Sequence, residues 1–541
     1  MKKTIYLLLF LSSNSFLFSQ TWNDTLAQID KIMARYKPTN PGCQLAISRN
    51  GTIIYSKAWG MADLEHVAPL TTNSILEAGS VSKQFTAAAI LLLEQQGKLS
   101  LNDDIRKYIP ELPDYGTPIL LRQMMQHTSG FKDWGSIVSI AGWPRSTKTY
   151  DNEDALHVIK HQKTLNNKPG AEYIYSNSNY NLLALVVDRV TGKTMAEFTK
   201  ESLFQPAGMT HTEWRNDYKK IVPNRAIAYG KVATTYYTNM PNENVYGNGG
   251  LLTTAEDLLA WNKYFLNGKL GNPSLLPKQT ALYKLSNGLK NTYGAGLVVD
   301  STRGWKTISH GGATASYRAN LEHFTDLDLS FAFLSNTSEF DQFSNASEEI
   351  RNLFVKDVTP SAPKSIITYT MPAEVMKQYA GWYRNTRSGG GVNFTIKDGK
   401  LSSTFGNITP TALDEFAIGS NKIKMMPGKP ARMILITATD SIELVAAPTA
   451  SGDKNGIEAY IGEYYSAETE SRFSIISKNG NLFLRREPNY EVQLFPTFED
   501  GFNYMGSTIW FQRDSKKTIA GFYVTVSRAR MVEFVKTPGG K

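Results

Sequence analysis

The chain has 541 residues, 41% hydrophobic and 20% charged, with a formal charge of +9 at pH 7. That length supports a large core and more than one domain, and the balance is that of a soluble globular protein. The positive charge is spread without a basic block or a nucleic-acid-binding signature, which argues against nucleic acid as a partner. The lone cysteine, Cys43, excludes an intramolecular disulfide and a cysteine-based metal cluster.

Met1–Gln20 reads as an export signal: Lys2 and Lys3 start it, Ile5–Leu11 is its apolar stretch, and Ser19 or Gln20 is the last residue removed. No lipobox-like cysteine follows, so no lipid anchor is expected. No later segment approaches the length of an apolar membrane span. The expectation is a soluble chain in the periplasm or secreted. Thr21–Tyr36 reads as a short amphipathic helix with Leu26, Ile29, Ile32 and Met33 on one side. Cys43–Ile47 and Ile53–Lys57 read as strands joined at Asn50-Gly51, a hairpin signal, with Cys43 buried and inert.

Leu76–Gly97 is a loop end feeding a helix whose run Ala87–Leu93 is too apolar for a surface helix. It opens with Gly79, Ser80, Val81, Ser82 and Lys83. On a helix Ser80 and Lys83 share a face. An ammonium forced toward a buried helix start loses proton affinity. A serine hydroxyl beside such an amine is a candidate nucleophile; the plainer reading is a serine cap and a solvent-facing lysine.

Leu120–Gln126 reads as a helix ending at His127-Thr128-Ser129-Gly130, with Gly130 as its stop. Phe131–Tyr150 is aromatic and irregular, read as a cleft wall. Asp154–Gln162, Tyr180–Val190 and Met195–Leu203 read as further helices, so the middle is a helical lobe inserted into, or packed against, an α/β lobe. Tyr173–Tyr180, YIYSNSNY, combines a turn with a helix start. In a turn Tyr175 and Asn177 can face one cleft. A tyrosine near an ammonium has its phenolate favoured, which suits Tyr175 to proton transfer. Asn177 is suited to hold Lys83 or to donate to a bound amide. An aromatic turn capped by asparagines is the alternative. Asn248–Asp257 is a Gly-rich turn and helix start capped by Thr253 or Thr254, without the lysine of a phosphate loop.

Tyr293–Val299 and Trp305–Ser309 read as strands, the second leading into His310-Gly311-Gly312-Ala313, and Leu329–Asn336 as a clear strand. A histidine and two glycines at a strand edge suit a site where substrate lies against bare backbone. The N–H of Ala313 is suited to pair with that of Ser80 as an oxyanion hole, and His310 to add a donor or partial positive charge. A surface histidine before a Gly-Gly turn is the alternative. Ser347–Val355 reads as the last helix of this domain.

Taken together, Ser80-Val81-Ser82-Lys83, Tyr175-Ser176-Asn177 and His310-Gly311-Gly312 resemble the serine beta-lactamase-like, penicillin-binding family, in its class C beta-lactamase, D-aminopeptidase and esterase branch. Supporting matches are His127-Thr128-Ser129-Gly130, Pro169-Gly170 and Gly249-Gly250-Leu251, and the resemblance covers roughly Pro41–Val355. It implies an α/β fold, an antiparallel sheet flanked by helices plus a mostly helical lobe. It implies Ser80 as acylated nucleophile, Lys83 and Tyr175 as base pair, Asn177 for orientation, and the N–H groups of Ser80 and Ala313 as oxyanion hole. His310 stands where the strict pattern has a carboxylate-greeting lysine. That departure favours peptidase, amidase or esterase action on short D-amino-acid peptides, amides or esters over class C-like beta-lactamase action. No cofactor or metal is required. A non-catalytic binder of cell wall or glycan is the remaining alternative.

After a Pro/Ser link at 360–365, Tyr379-Ala380-Gly381-Trp382-Tyr383 recurs as Tyr460-Ile461-Gly462-Glu463-Tyr464, and Asp398-Gly399 as Asn479-Gly480, each pair 81 positions apart. The expected organisation is signal peptide 1–20, hydrolase domain 21–359, linker 360–365 and two antiparallel β units, 366–452 and 453–541, each a barrel alone or half of one. These resemble the β-barrel extensions of D-aminopeptidase-type members, which implies a role in edging the cleft; packing or surface attachment is the alternative.

Overall fold

The computed structural model describes residues 22–144, 147–340, 346–358, 368–404, 406–437, 440–450, 454–486 and 490–538. The expected export signal and the 360–365 link lie outside them. The chain divides into two compact units: 22–96, Thr191–Ala281 and 294–358 in the first, and Gly97–Val190, Leu282–Tyr293 and 368–538 in the second.

Among the described residues the first unit is built on a six-stranded antiparallel sheet, in the order Val298–Thr302, Trp305–Thr314, Tyr317–Phe324, Leu329–Ser335, Cys43–Arg49, Thr52–Trp59. Cys43 pairs with Ser335, so the first strand closes against the last. Asn50 and Gly51 take φ of 51° and 67°, the left-handed pair that a two-residue hairpin turn demands. Leu329–Ser335 is buried at every position, with the apolar residues Phe331–Leu334 at its centre. Helix 22–33 lays Ile29 and Met33 on one face of the sheet, beside Leu45, Phe331 and Ile350. Cys43 is fully buried. Helix Lys83–Gln95 buries Phe85, Ile90, Leu91 and Leu93, each contributing about 1.5–3 kcal/mol of transfer free energy.

Three expectations are corrected. The strand expected at Tyr293–Val299 begins only at Val298, because Gly296, at φ +75°, brings the backbone so close to Lys83 that a Cβ there would lie 2.7 Å from the Lys83 carbonyl. The strand from Trp305 does not stop before His310; it runs to Thr314, carrying His310, Gly311, Gly312 and Ala313 as ladder positions. Phe131–Tyr150 is not irregular throughout, since Asp133 accepts from Ser136 N and caps a helix, Trp134–Ala141.

The second unit contains the helical lobe as far as Val190 and both C-terminal β copies, while the helix Met195–Thr199, expected in that lobe, falls in the first unit. Helix Leu121–Met125 ends at Gln126, and the left-handed step that follows it is made by His127, at φ 55°, three residues before Gly130, itself at φ 85°. Gly130 serves close approach: a Cβ would lie 2.2 Å from the Asn167 carbonyl oxygen. Each β copy is a separate nine-stranded antiparallel sheet among the described residues. The order along the strip is fourth, third, second, first, ninth, eighth, seventh, sixth, fifth in both. The chain-consecutive fourth and fifth strands form the two ends, so each copy is a nearly closed barrel. Tyr383 donates to the Tyr379 carbonyl at 3.2 Å and Tyr464 to the Tyr460 carbonyl at 2.6 Å, the same hydrogen bond in both.

Candidate active site

In the first unit a tight 3-10 turn, Gly79–Ser82, precedes helix Lys83–Gln95. Lys83 is fully buried, and its Nζ lies 3.0 Å from Ser80 Oγ and 2.5 Å from the Asn248 carbonyl oxygen. Ser80 itself is half-buried. The turn is fastened from outside its own element. Leu251 N donates to Ser82 Oγ, Ala78 N to the Leu251 carbonyl, and Thr86 Oγ1 to the Gly247 carbonyl. The Asn248–Asp257 stretch is therefore the floor of the nucleophile turn, and Thr254 caps the following helix through Asp257 N. Gly250 needs its glycine, at φ +86°, whereas a Cβ on Gly249 would make only ordinary contact.

The strand Trp305–Thr314 runs tightly beside this turn. A Cβ on Gly312 would lie 2.0 Å from the Ala78 carbonyl oxygen, and one on Gly79 would lie 2.7 Å from Ala313 N. Ala313 N is thus held next to the residue before Ser80. Gly311 and Ala313 are exposed, and a Cβ on Gly311 would make only ordinary contact, 4.0 Å from the Ala319 carbonyl oxygen, so of the two glycines only Gly312 is demanded by packing. His310 is buried, and its Nδ1 lies 2.6 Å from the Gly311 carbonyl. A carbonyl can only accept, so Nδ1 carries the proton and Nε2 the lone pair. Burial, reinforced by the Lys83 charge, pushes the His310 pKa down to about 4. The ring is neutral at pH 7 and supplies hydrogen bonding rather than positive charge.

Tyr175 and Asn177 belong to the second unit. Asn177 opens helix Asn177–Thr191 three residues earlier than the apolar periodicity indicates, and its N–H donates to Asp133 Oδ2 at 2.7 Å. The turn before it is organised by His127. The His127 carbonyl accepts from Ile174 N at 2.9 Å, and its Nδ1 accepts from Ser176 N at 3.1 Å. Its ring lies 4.1 Å from that of Tyr175. Ser129 Oγ donates to Asn179 Oδ1 at 2.6 Å, which explains why His127-Thr128-Ser129-Gly130 accompanies Tyr175-Ser176-Asn177.

Sequence reasoning missed two residues. Asp133 caps the Trp134 helix and holds Asn177; the D-x-x-S cap spacing was its signal. Arg528, in a turn of the second β copy, places its guanidinium 4.7 Å from the Tyr175 ring centre, and its carbonyl accepts from Asp133 N and Asn166 Nδ2, each at 3.0 Å. Burial raises the neighbouring Tyr173 pKa to about 12, against the opposing pull of Arg528. A residue some 350 positions from Tyr175 carries no local signal.

Residues 27–353 match the Beta-lactamase family. Penicillin-binding protein 4* of Bacillus subtilis (strain 168) is 29% identical over 318 residues, 55% of this chain and 69% of the relative. A D-aminopeptidase of Brucella anthropi is 24% identical over 532 residues, 92% of this chain and 96% of the relative. The solved penicillin-binding protein homologue from Pyrococcus abyssi shares the fold at a TM-score of 0.53 and 20% identity, covering 87% of this chain and 99% of that one. With more than half its length matched, this chain belongs to the beta-lactamase family of serine hydrolases.

Proposed function

We propose that this protein hydrolyses D-amino-acid amides, short D-peptides or related esters through an acyl-enzyme on Ser80. The observation that carries the reading is the 3.0 Å hydrogen bond between Lys83 Nζ and Ser80 Oγ, with the lysine wholly buried. Full-length similarity to a protein named D-aminopeptidase supports the D-configured acyl donor. Ser80 Oγ forms a bond to the substrate carbonyl carbon, and its proton passes to the base pair of Lys83, as neutral amine, and Tyr175. The N–H groups of Ser80 and Ala313 hold the oxyanion, while Asn177 orients the acyl chain. The C–N or C–O bond breaks and the leaving group takes a proton from the same pair. Water then adds to the acyl carbon, gives its proton to that pair, and Ser80 regains its hydroxyl as the acid departs. His310, neutral, with Gly311 and Gly312 offers hydrogen bonding and bare backbone to the acyl group. The signal-like pattern of Met1–Gln20 supports export, with peptides of cell-wall material as candidate substrates; among the described residues no helix is long and apolar enough to cross a membrane.

The test is a fluorophosphonate probe with peptide mapping, run beside a panel of D- and L-aminoacyl amides, D-Ala-D-Ala peptides, short esters and nitrocefin. The expected result is an adduct on Ser80, preference for D over L, and loss of both in Ser80→Ala. Turnover unchanged in Ser80→Ala overturns it. A second reading, an acyl donor bearing a carboxylate and so including beta-lactams, is favoured by Arg528, which is exposed and has no carboxylate partner among the described residues. Nitrocefin turnover that exceeds amide turnover and falls in Arg528→Ala selects it.

A further inference from the structure

We propose that His157, His161 and Glu470, all in the second unit, form a binding site for a divalent transition-metal ion, with Zn2+ the best match to two imidazoles and one carboxylate. His157 and His161 are four residues apart, in the last turn and at the C-terminal cap of helix Asn152–Lys160. That spacing puts both rings on one face, and a helix C-terminus favours a cation. Their ring centres are 4.4 Å apart, and the three residues each offer a ligand atom within 4.8 Å of the other two.

Both imidazoles present a ring nitrogen to the Glu470 carboxylate. His161 Nδ1 lies 2.7 Å from the His157 carbonyl oxygen, to which it donates, and its Nε2 faces Glu470 Oε1 at 3.9 Å. A metal-bound imidazole donates its other N–H in this same way. His157 Nε2 lies 2.7 Å from Glu470 Oε2. A tetrahedral Zn2+ with bonds of about 2.0–2.1 Å keeps its ligand atoms roughly 3.3 Å apart; the histidine-to-carboxylate separations, 2.7 Å to Oε2 and 3.9 Å to Oε1, lie on either side of that value. With all three ligand atoms within 4.8 Å of one another, side-chain adjustments of at most about 1.5 Å bring them to tetrahedral spacing and leave a fourth position for water.

Glu470 is held ready. Its neighbour Glu468 accepts from Lys132 Nζ and Lys163 N, and the Glu468 carbonyl from Gln162 Nε2, which pins the turn to the end of the helix. Glu470 takes φ +50°. The position 81 residues earlier, its counterpart in the first β copy, is Gly389 at φ +72°. The second copy thus keeps a carboxylate where the first uses the residue to which that conformation comes freely. The ion would clamp the helical lobe to the second barrel.

The experiment uses untagged, chelator-stripped full chain, titrated with Zn2+ by calorimetry and with Co2+ by visible absorption. Wild type is expected to bind one equivalent of Zn2+, to show Co2+ ligand-field bands, and to melt at higher temperature as Zn2+ is added. His157→Ala, His161→Ala and Glu470→Gln should each weaken binding by on the order of tenfold or more. His66→Asn, in the separate exposed cluster with Asp63 and Glu65, should leave it unchanged. All three ligand positions are partly exposed, so these variants keep the fold, and circular dichroism checks this. Absence of saturable Zn2+ binding, or binding that survives all three substitutions, overturns the proposal. Hydrolysis plays no part in the readout, so the outcome is independent of Ser80 chemistry.

Discussion

Two lysines in this protein are equally withdrawn from water and are held by opposite chemistry. In the first unit Lys83 meets a serine hydroxyl and a backbone carbonyl. In the second, Lys132 meets the carboxylate of Glu468 at 3.0 Å, with both side chains almost wholly buried. Burial pulls the Lys132 proton affinity down, and Glu468 opposes it. The contrast teaches that burial alone does not make a base. A hydroxyl partner suits an amine to accept a proton, whereas a carboxylate partner turns the same side chain into a brace between the helical lobe and the second β copy.

The sharpest break of this comparison is substitution at the two lysine sites in turn. Ser80→Ala or Lys83→Met should lower kcat/KM by about 10,000-fold or more while leaving the melting temperature close to wild type; equal losses of stability would erase the distinction. Next, Glu468→Ala should destabilise the protein by about 3–5 kcal/mol, because it strands the Lys132 charge, whereas the double change Lys132→Met with Glu468→Leu should recover most of that. Urea unfolding of the single and double variants decides it.

A third test uses the histidine beside Lys83. His310 has a pKa near 4 when folded and about 6.5 when unfolded. The unfolded state therefore binds the extra proton first. The stabilisation is fully present above about pH 6.5 and is lost as pH falls toward 4, a loss of about 3 kcal/mol for this group. His310→Gln should flatten that part of the stability–pH curve, and a curve left unchanged would show that the ring titrates normally. The smallest effect is expected at Arg528. If it greets an anion, Arg528→Ala should lower kcat/KM for carboxylate-bearing acyl donors by about tenfold and leave neutral esters near wild type. Equal losses on both would assign it to packing on Tyr175.

Local sequence determined much of the fold, because the signals involved act over short range. Asn50-Gly51 dictates its hairpin, the apolar run Ala87–Leu93 its buried helix, and the 81-residue recurrence a duplicated β unit. Ser80 and Lys83 are three residues apart, so their meeting is a property of one helical turn. Long-range contact decided the rest. His310-Gly311-Gly312 reads as the residues just beyond a strand ending at Ser309 until its pairing with Ala319–Leu321 makes it part of the ladder. Asn248, Asp133, Arg528 and Glu468 reveal their parts only when distant backbone delivers a partner, since a hydrogen bond or an ion pair depends on distance in space and leaves no periodic trace along the chain.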